Sequence, residues 1–245
     1  MEEQERQILA VRERLAGAHS VSALTGSGIS AESGLPTFRG VGGLWHAHRV
    51  EELASPEGFA RDPHLVWTWY NERRAAHAHL EPNAGHRALA HLETLFADFT
   101  LITQNVDSLH HLAGSRNVCE LHGNLREAWC NGCRERRSLK SGVPFERFEH
   151  ECGGRFRPAV VWFGEALPPE PWERAAAAVA RAEVLLVVGT SGIVQPAASL
   201  ASHFVGPDTF VVEVNPEATP ISEHADVVLR GSAAEILPQL IPRKS

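Results

Sequence analysis

Residues 25 to 40 read TGSGISAESGLPTFRG and follow a short apolar run, Val21 to Leu24. Within them Gly26-Ser27-Gly28-Ile29-Ser30-Ala31 fits the G-x-G-x-x-G/A turn that carries dinucleotide phosphates. Glycine lets backbone N–H groups approach an anion, and a helix starting there adds its positive end. An ordinary strand-to-helix turn uses glycine too, so the motif alone leaves both readings open. A second polar loop, Gln104-Asn105-Val106-Asp107, follows the apolar run Phe99 to Thr103, where open α/β sheets place ligands. Its amide and acid side chains suit a ribose and a carboxamide, or merely solvate a loop. The run Val118 to Leu121 leads into His122, whose imidazole suits general-base work at neutral pH or a structural role. Tyr70 and Arg73 stand at i and i+3, so a helix puts them on one face. There a guanidinium can fork onto a carboxylate and a phenol can add one hydrogen bond.

These groups need a frame. Short apolar strands are expected at Val21 to Leu24, Phe99 to Thr103, Val118 to Leu121, Ala159 to Phe163, Val184 to Val188, Thr209 to Val214 and Asp226 to Leu229. Apolar on both faces, they predict a mostly parallel sheet covered by helices, an α/β fold. Helices are expected over His86 to Phe96, Glu170 to Arg181 and Pro196 to Phe204, with a last one opened by the capping box Ser232-Ala-Ala-Glu235. Two stretches break the alternation. Residues 37–82 are Trp-rich and helical, with one helix opened by Asp62-Pro63, and residues 127–156 carry three cysteines among polar and basic residues. Together they predict a small domain, with 1–36, 83–126 and 157–245 forming the larger one.

The chain has 245 residues, enough for one large domain with a smaller module. A formal net charge of −7 gives no global reason to expect nucleic acid or an anionic membrane surface as partner. The N-terminus is acidic and then amphipathic, with Ile8, Val11, Leu15 and Ala18 on one face, unlike a signal or transit peptide. No apolar run reaches membrane-spanning length, and the cysteine usage fits free thiols or a metal site in a reducing cytoplasm. Cys119, in an apolar strand, is expected as a core thiol.

A plain dehydrogenase is disfavoured. Its glycine turn leads through one helix to a second strand whose acid, about 20 residues on, holds the ribose. Here Pro36, Phe38, Arg39 and Gly42 to Trp45 follow instead, and Glu51 and Glu52 end no credible strand. The set TGSGISAESGLPTFRG, TQNVD, ELHGNL, RPAVVWFGE, GTS (Gly189 to Ser191) and VNPE (Val214 to Glu217) resembles the sirtuin family of NAD-dependent protein deacylases, in the family's order and over almost the whole chain. One departure is Ser27, where the family usually has alanine; the extra hydroxyl should be tolerated.

The resemblance implies a Rossmann-like large domain, a smaller inserted helical and zinc-ribbon-like domain, and NAD consumed as co-substrate between them beside an acyl-lysine protein or peptide. The acyl carbonyl oxygen would attack C1′ of the nicotinamide ribose, with His122 as general base on a ribose hydroxyl, and lysine and an O-acyl-ADP-ribose would be released. The resemblance assigns Gly26, Ser27, Gly28, Ala31, Glu32, Phe38 and Arg39 to the cofactor loop, Gln104 and Asn105 to ribose and water, and Asp107 to the nicotinamide amide. Gly189, Thr190, Ser191, Asn215 and Ala233 would contact the diphosphate, ribose and adenine side. Val161 to Glu165, with Val161, Phe163 and Gly164, would offer an edge to an extended peptide. Tyr70 and Arg73 look like the Tyr-x-x-Arg signature of class III sirtuins, which prefer succinyl-, malonyl- or glutaryl-lysine, and Ala54 matches the small residue that widens their acyl channel. NAD hydrolysis, ADP-ribosyl transfer and a catalytically idle NAD sensor are the competing functions.

Family members usually hold one structural zinc with two C-x-x-C pairs. This chain supplies Cys130, Cys133 and then Cys152. With Cys152 as fourth ligand the third falls at Glu149, while the adjacent His150 is chemically the better zinc ligand. A module that folds without metal, or a weak three-thiolate site, is the alternative.

Overall fold

The computed structural model describes residues 2–36 and 53–242. The strands, in chain order, are β1 (Ser20–Thr25), β2 (Asp98–Thr103), β3 (Val118–Glu120), β4 (Gly123–Cys130), β5 (Arg136–Ser138), β6 (Phe156–Val160), β7 (Val184–Val188), β8 (Phe210–Val214) and β9 (Val227–Leu229). Six of them form one parallel sheet in the order β3-β2-β1-β7-β8-β9. The α-helices are α1 (Glu2–Ala16), α2 (Pro56–Arg61), α3 (Pro63–His77), α4 (Ala84–Leu95), α5 (Leu109–Leu112), α6 (Pro169–Arg181) and α7 (Ala233–Leu240).

Side chains alternate across a strand, so each run feeds two cores. Val21 and Ala23 pack with Leu15 of α1, Leu89 of α4 and Leu237 of α7. Leu24 turns to the opposite face, against Ala175 and Val179 of α6 and Leu200. Burial on both faces explains the unbroken apolar runs. The helix starts follow local chemistry. Ser232 and Glu235 close the capping box expected from the sequence, Asp62 accepts from Leu65 N with Pro63 in the first turn, and Asn83 makes a reciprocal cap with His86.

A second, antiparallel sheet has the order β5-β4-β6. Its apolar side joins α2 and α3 in a separate cluster that includes Phe59, Val66, Trp67, Tyr70, Phe156 and Trp162. Trp67 Nε1 donates to the Phe156 carbonyl at 2.9 Å. The buried Arg74 donates to the carbonyls of Leu125, Val143 and Lys140, which ties α3 to β4 and to the chain beyond β5.

Three expectations are corrected. The strand expected at Ala159 to Phe163 is instead Phe156–Val160, and it pairs with β4 rather than joining the parallel sheet. A run apolar on both faces does not reveal the direction of its neighbours. The helix expected over Pro196 to Phe204 is a 3-10 segment, Ala197–Ala201. The turn after β1 likewise opens a 3-10 helix, Ser27–Ser33, ended by Gly34 at φ 94°. Phe38 and Arg39 lie outside the described residues, as does the rest of 37–52 with Trp45. No described helix is long and apolar enough to cross a membrane.

Candidate active site

From β1 the strand order runs outward through β2 and β3 on one side and through β7, β8 and β9 on the other. The loops after β1 and β7 therefore leave the sheet side by side, at a switch point. Gly26 N donates to the Val188 carbonyl at 3.0 Å and Gly28 N to the Gly189 carbonyl at 2.8 Å. A Cβ on Gly28 would lie 2.7 Å from Gly189 Cα, and one on Gly26 would lie 2.8 Å from Thr190 Cα. Gly189 itself has φ 58°. The glycines thus allow two loops to touch backbone to backbone, a demand that the motif pattern alone does not state.

The polar loop after β2 closes on this pair. Gln104 Nε2 donates to Thr190 Oγ1 at 3.0 Å, and Asn215 Nδ2 to the Thr190 carbonyl at 2.8 Å. Asn105 Nδ2 donates to the Gly26 carbonyl at 3.1 Å and to Ser30 Oγ at 3.2 Å. Asp107 accepts from Ser30 Oγ at 2.8 Å and from Leu109 N at 2.9 Å, while burial pushes its carboxyl above the ordinary value. Glu32 accepts from Ala234 N at 3.1 Å, which brings the exposed Ala31–Glu32 turn to the start of α7, where Ala233 stands. Ser191 follows Thr190 on the β7 loop.

His122 stands between β3 and β4. Its Nδ1 lies 2.9 Å from the Gln104 carbonyl, an acceptor only, so Nδ1 carries the proton and Nε2 holds the lone pair. Burial lowers the imidazole pKa, and the Gln104 bond opposes this in part. The neutral form with a basic Nε2 is thereby held near neutral pH.

Tyr70 and Arg73 sit on one turn of α3. Trp162 Nε1 donates to Tyr70 Oη at 2.9 Å, and burial pushes the phenol up to about 12, so its own proton remains available to donate. The Arg73 guanidinium lies 4.7 Å over the Trp69 ring. Arg73 and His77 line a cavity with Ser27, Ser30, Asn105 and Asp107. Ala54, Tyr70 and Trp162 share the apolar cluster of the small sheet, and Phe163 N donates to the Ala54 carbonyl at 3.0 Å. Val161 N donates to the His122 carbonyl at 2.9 Å, and the Phe163 side chain is exposed beside Gly164 at φ 83°.

Sequence reading missed Ser30 and His86, although Ser30 lies inside the quoted glycine motif. Asn83 N donates to His86 Nδ1, so His86 Nε2 carries the proton and faces Ser30 Oγ at 3.4 Å. No spacing rule links positions 56 residues apart. Burial, aided by Arg87, lowers His86 to about 4 from 6.5, and burial also lowers His110 well below the usual imidazole value. Between pH 6.5 and 4 the unfolded chain takes a proton that folded His86 refuses. Stability is therefore complete above about pH 6.5 and declines as pH falls, by on the order of 3 kcal/mol from His86 alone at pH 4. Urea titrations from pH 8 to 4.5 should show this slope, and His86→Asn should flatten it; an unchanged slope would refute the assignment.

Away from the cleft, Cys130, Cys133, His150 and Cys152 place their donor atoms within 4.8 Å of one another. Cys130 Sγ is 3.5 Å from Cys152 Sγ, and Cys133 Sγ is 3.7 Å from His150 Nδ1. His150 Nε2 bonds Glu135 at 2.9 Å, and its Nδ1, on the side of the thiols, accepts from Cys152 N at 3.0 Å. Three thiols and an imidazole in one cluster fit zinc chemically. Among the described residues it is His150, not the spacing candidate Glu149, that joins them; Glu149 is exposed and bridges Arg155 through its backbone. Cys119 is buried in β3 with Sγ 3.0 Å from the Pro171 carbonyl, apart from this cluster.

A parallel sheet with paired glycine loops at its switch point, an imidazole at a neighbouring strand end and a small second sheet define a Rossmann-like nucleotide-binding protein with an added module. The chain belongs to the Sir2 family, whose model matches residues 26–196. It is 50% identical over 237 residues to an NAD-dependent protein deacylase of Thermococcus kodakarensis, covering 94% of this chain and 92% of that protein. To NAD-dependent protein deacylase 1 of Archaeoglobus fulgidus it is 49% identical over 222 residues, covering 89% and 90%. A solved complex of a Sir2 homolog with NAD matches with a TM-score of 0.88 at 46% identity, over 95% of this chain and 91% of that one.

Proposed function

We propose that this protein removes acyl groups from lysine side chains of proteins in a reaction that consumes NAD, and that it prefers the acidic acyl groups succinyl, malonyl or glutaryl over acetyl. The observation that carries the reaction is His122, held neutral with Nε2 open after β3, whose neighbour β2 adjoins the glycine-loop strand β1. NAD, when bound, supplies the ribose C1′ electrophile and nicotinamide as leaving group. Gly26, Gly28 and Gly189 bring backbone close to the diphosphate, Asn215 and Thr190 hold the adenosine side, and Asp107 accepts from the nicotinamide amide. Gln104 and Asn105 orient ribose and water. His122 Nε2 takes a proton from a ribose hydroxyl, which raises that oxygen's reactivity toward the acyl carbon.

The peptide lies along Val161 to Glu165. The N–H groups of Val161, Trp162 and Phe163 are already bonded inside the protein, so strand addition would use Gly164 and not those amides. The acyl preference is supported by a permanent cation and a protonated phenol one turn apart on α3, both drawn out of water beside the cleft. The large body of 1–36, 83–126 and 157–245 and the small module of 37–82 and 127–156 are the two walls in this reading, with the start of β4 and the rest of β6 counted to the small module because they pair in its sheet.

Incubating the protein with NAD and succinyl-, malonyl-, glutaryl- and acetyl-lysine peptides tests both levels. One acyl-ADP-ribose per lysine freed is expected, with the highest kcat/KM on an acidic acyl group. Free ADP-ribose alone would indicate a hydrolase, and no turnover a sensor.

Cys130, Cys133, Cys152 and His150 would hold zinc as a structural clamp on β4 and the loop before β6. Purified protein should contain about one zinc per chain. His150→Ala should lower that content sharply while Glu149→Ala leaves it intact, as read by metal analysis. The reverse pattern would return the fourth position to Glu149.

A further inference from the structure

The segment proposed to receive the peptide is fixed by an ion pair that takes no part in the chemistry. Arg157, buried in β6, donates from Nη1 to Glu165 Oε1 at 2.5 Å and from Nη2 to Glu165 Oε2 at 2.8 Å. Nη2 also donates to the Val160 carbonyl at 2.9 Å. The guanidinium carbon lies 3.3 Å over the Trp162 ring and 4.7 Å over that of Trp129, so two indoles flank the cation. Glu165 in turn accepts from Trp162 N at 2.8 Å, and Glu165 N donates back to the Trp162 carbonyl at 3.0 Å.

Apart from Trp162 N, which Glu165 holds, the fixed points of residues 161 to 163 are residues assigned to the site. Val161 N bonds the His122 carbonyl, Trp162 Nε1 bonds the Tyr70 phenol, and Phe163 N bonds the Ala54 carbonyl. The turn 162 to 165 is closed by the backbone bond from Glu165 N to the Trp162 carbonyl, and the Glu165 carboxylate clamps it further by joining Trp162 N to Arg157. A planar fork flanked by aromatic rings fixes that geometry in a way a flexible ammonium does not.

We propose that Arg157 and Glu165 are positioning residues for the acyl-lysine substrate: their bidentate pair sets the pitch of the 161–165 segment and, through the Trp162 indole, aims the Tyr70 phenol. The proposal rests on the reading that this segment binds the acyl peptide. It predicts a split that a purely structural pair would not give, because the NAD side is held by the glycine loops and touches neither residue.

Two conservative variants test it, Arg157→Lys and Glu165→Gln. Glu165 is partly exposed, so its neutral amide keeps the shape of the turn if the Arg157 variant folds poorly. In each folded variant KM for succinyl- and acetyl-lysine peptides should rise about tenfold or more, with kcat changed much less. ADP-ribose affinity should stay within about twofold, and the preference for succinyl over acetyl should shrink as the phenol loses its aim. Unchanged peptide KM in folded Glu165→Gln protein would overturn the proposal, as would parallel losses of peptide and ADP-ribose affinity. Wild-type protein that turns over none of the acyl peptides would instead remove the deacylase reading, and this inference with it.

Discussion

His122→Ala is expected to lower kcat for deacylation by about 10²- to 10⁴-fold, the usual contribution of a positioned general base, while ADP-ribose binding persists. The expectation rests on tautomer and environment together. Nδ1 is committed to the Gln104 carbonyl, so only Nε2 can take a proton, and burial keeps the ring neutral. The wild-type pH profile should carry the same signature. Because the neutral ring is the active form and its pKa is lowered from 6.5 in the free protein, the acid limb of kcat/KM should lie below pH 6.5. Steady-state rates from pH 5 to 8 on a succinyl peptide, for wild type and variant, decide the matter. An alanine variant that retains full turnover would remove His122 from the mechanism.

Arg73→Met is expected to reverse the acyl preference. Methionine keeps most of the volume and removes the charge, so acetyl turnover should be retained or raised while succinyl turnover falls. Losing a charge-assisted contact from a buried channel costs about 2 to 5 kcal/mol, roughly thirtyfold to several thousandfold in kcat/KM. Tyr70→Phe should move the ratio in the same direction by less, since the phenol donates one neutral hydrogen bond. Equal wild-type efficiencies on succinyl and acetyl peptides would defeat this assignment of Arg73 without touching that of His122.

Much of the frame was legible because it is local. The strands at Val184 to Val188 and Phe99 to Thr103 announce themselves as short apolar runs, and the Ser232 to Glu235 box and the Asp62-Pro63 start are satisfied by atoms three residues apart. What was misread is what neighbours decide. The run beginning near Ala159 is as apolar as its parallel counterparts, yet β6 lies in the small sheet because β4 is its partner.

The same division runs through the site. The glycine pattern, the Gln104 to Asp107 loop, His122 and the three clustered cysteines were visible by residue type and spacing, since a ligand-binding turn or a thiolate pair is written in a few consecutive positions. By itself the sequence determined which chemical groups are present and at which strand ends they fall. Only the tertiary structure decided that Gly28 meets Gly189, that Ser30 links Asn105, Asp107 and His86, that His150 and not Glu149 faces the thiols, and that Arg157 lies between two indoles. Most of those contacts join residues well apart in the chain, up to the 161 positions between Gly28 and Gly189. They are fixed by sheet order and by the turn between Glu149 and Arg155, and neither is encoded in the spacing of a short motif.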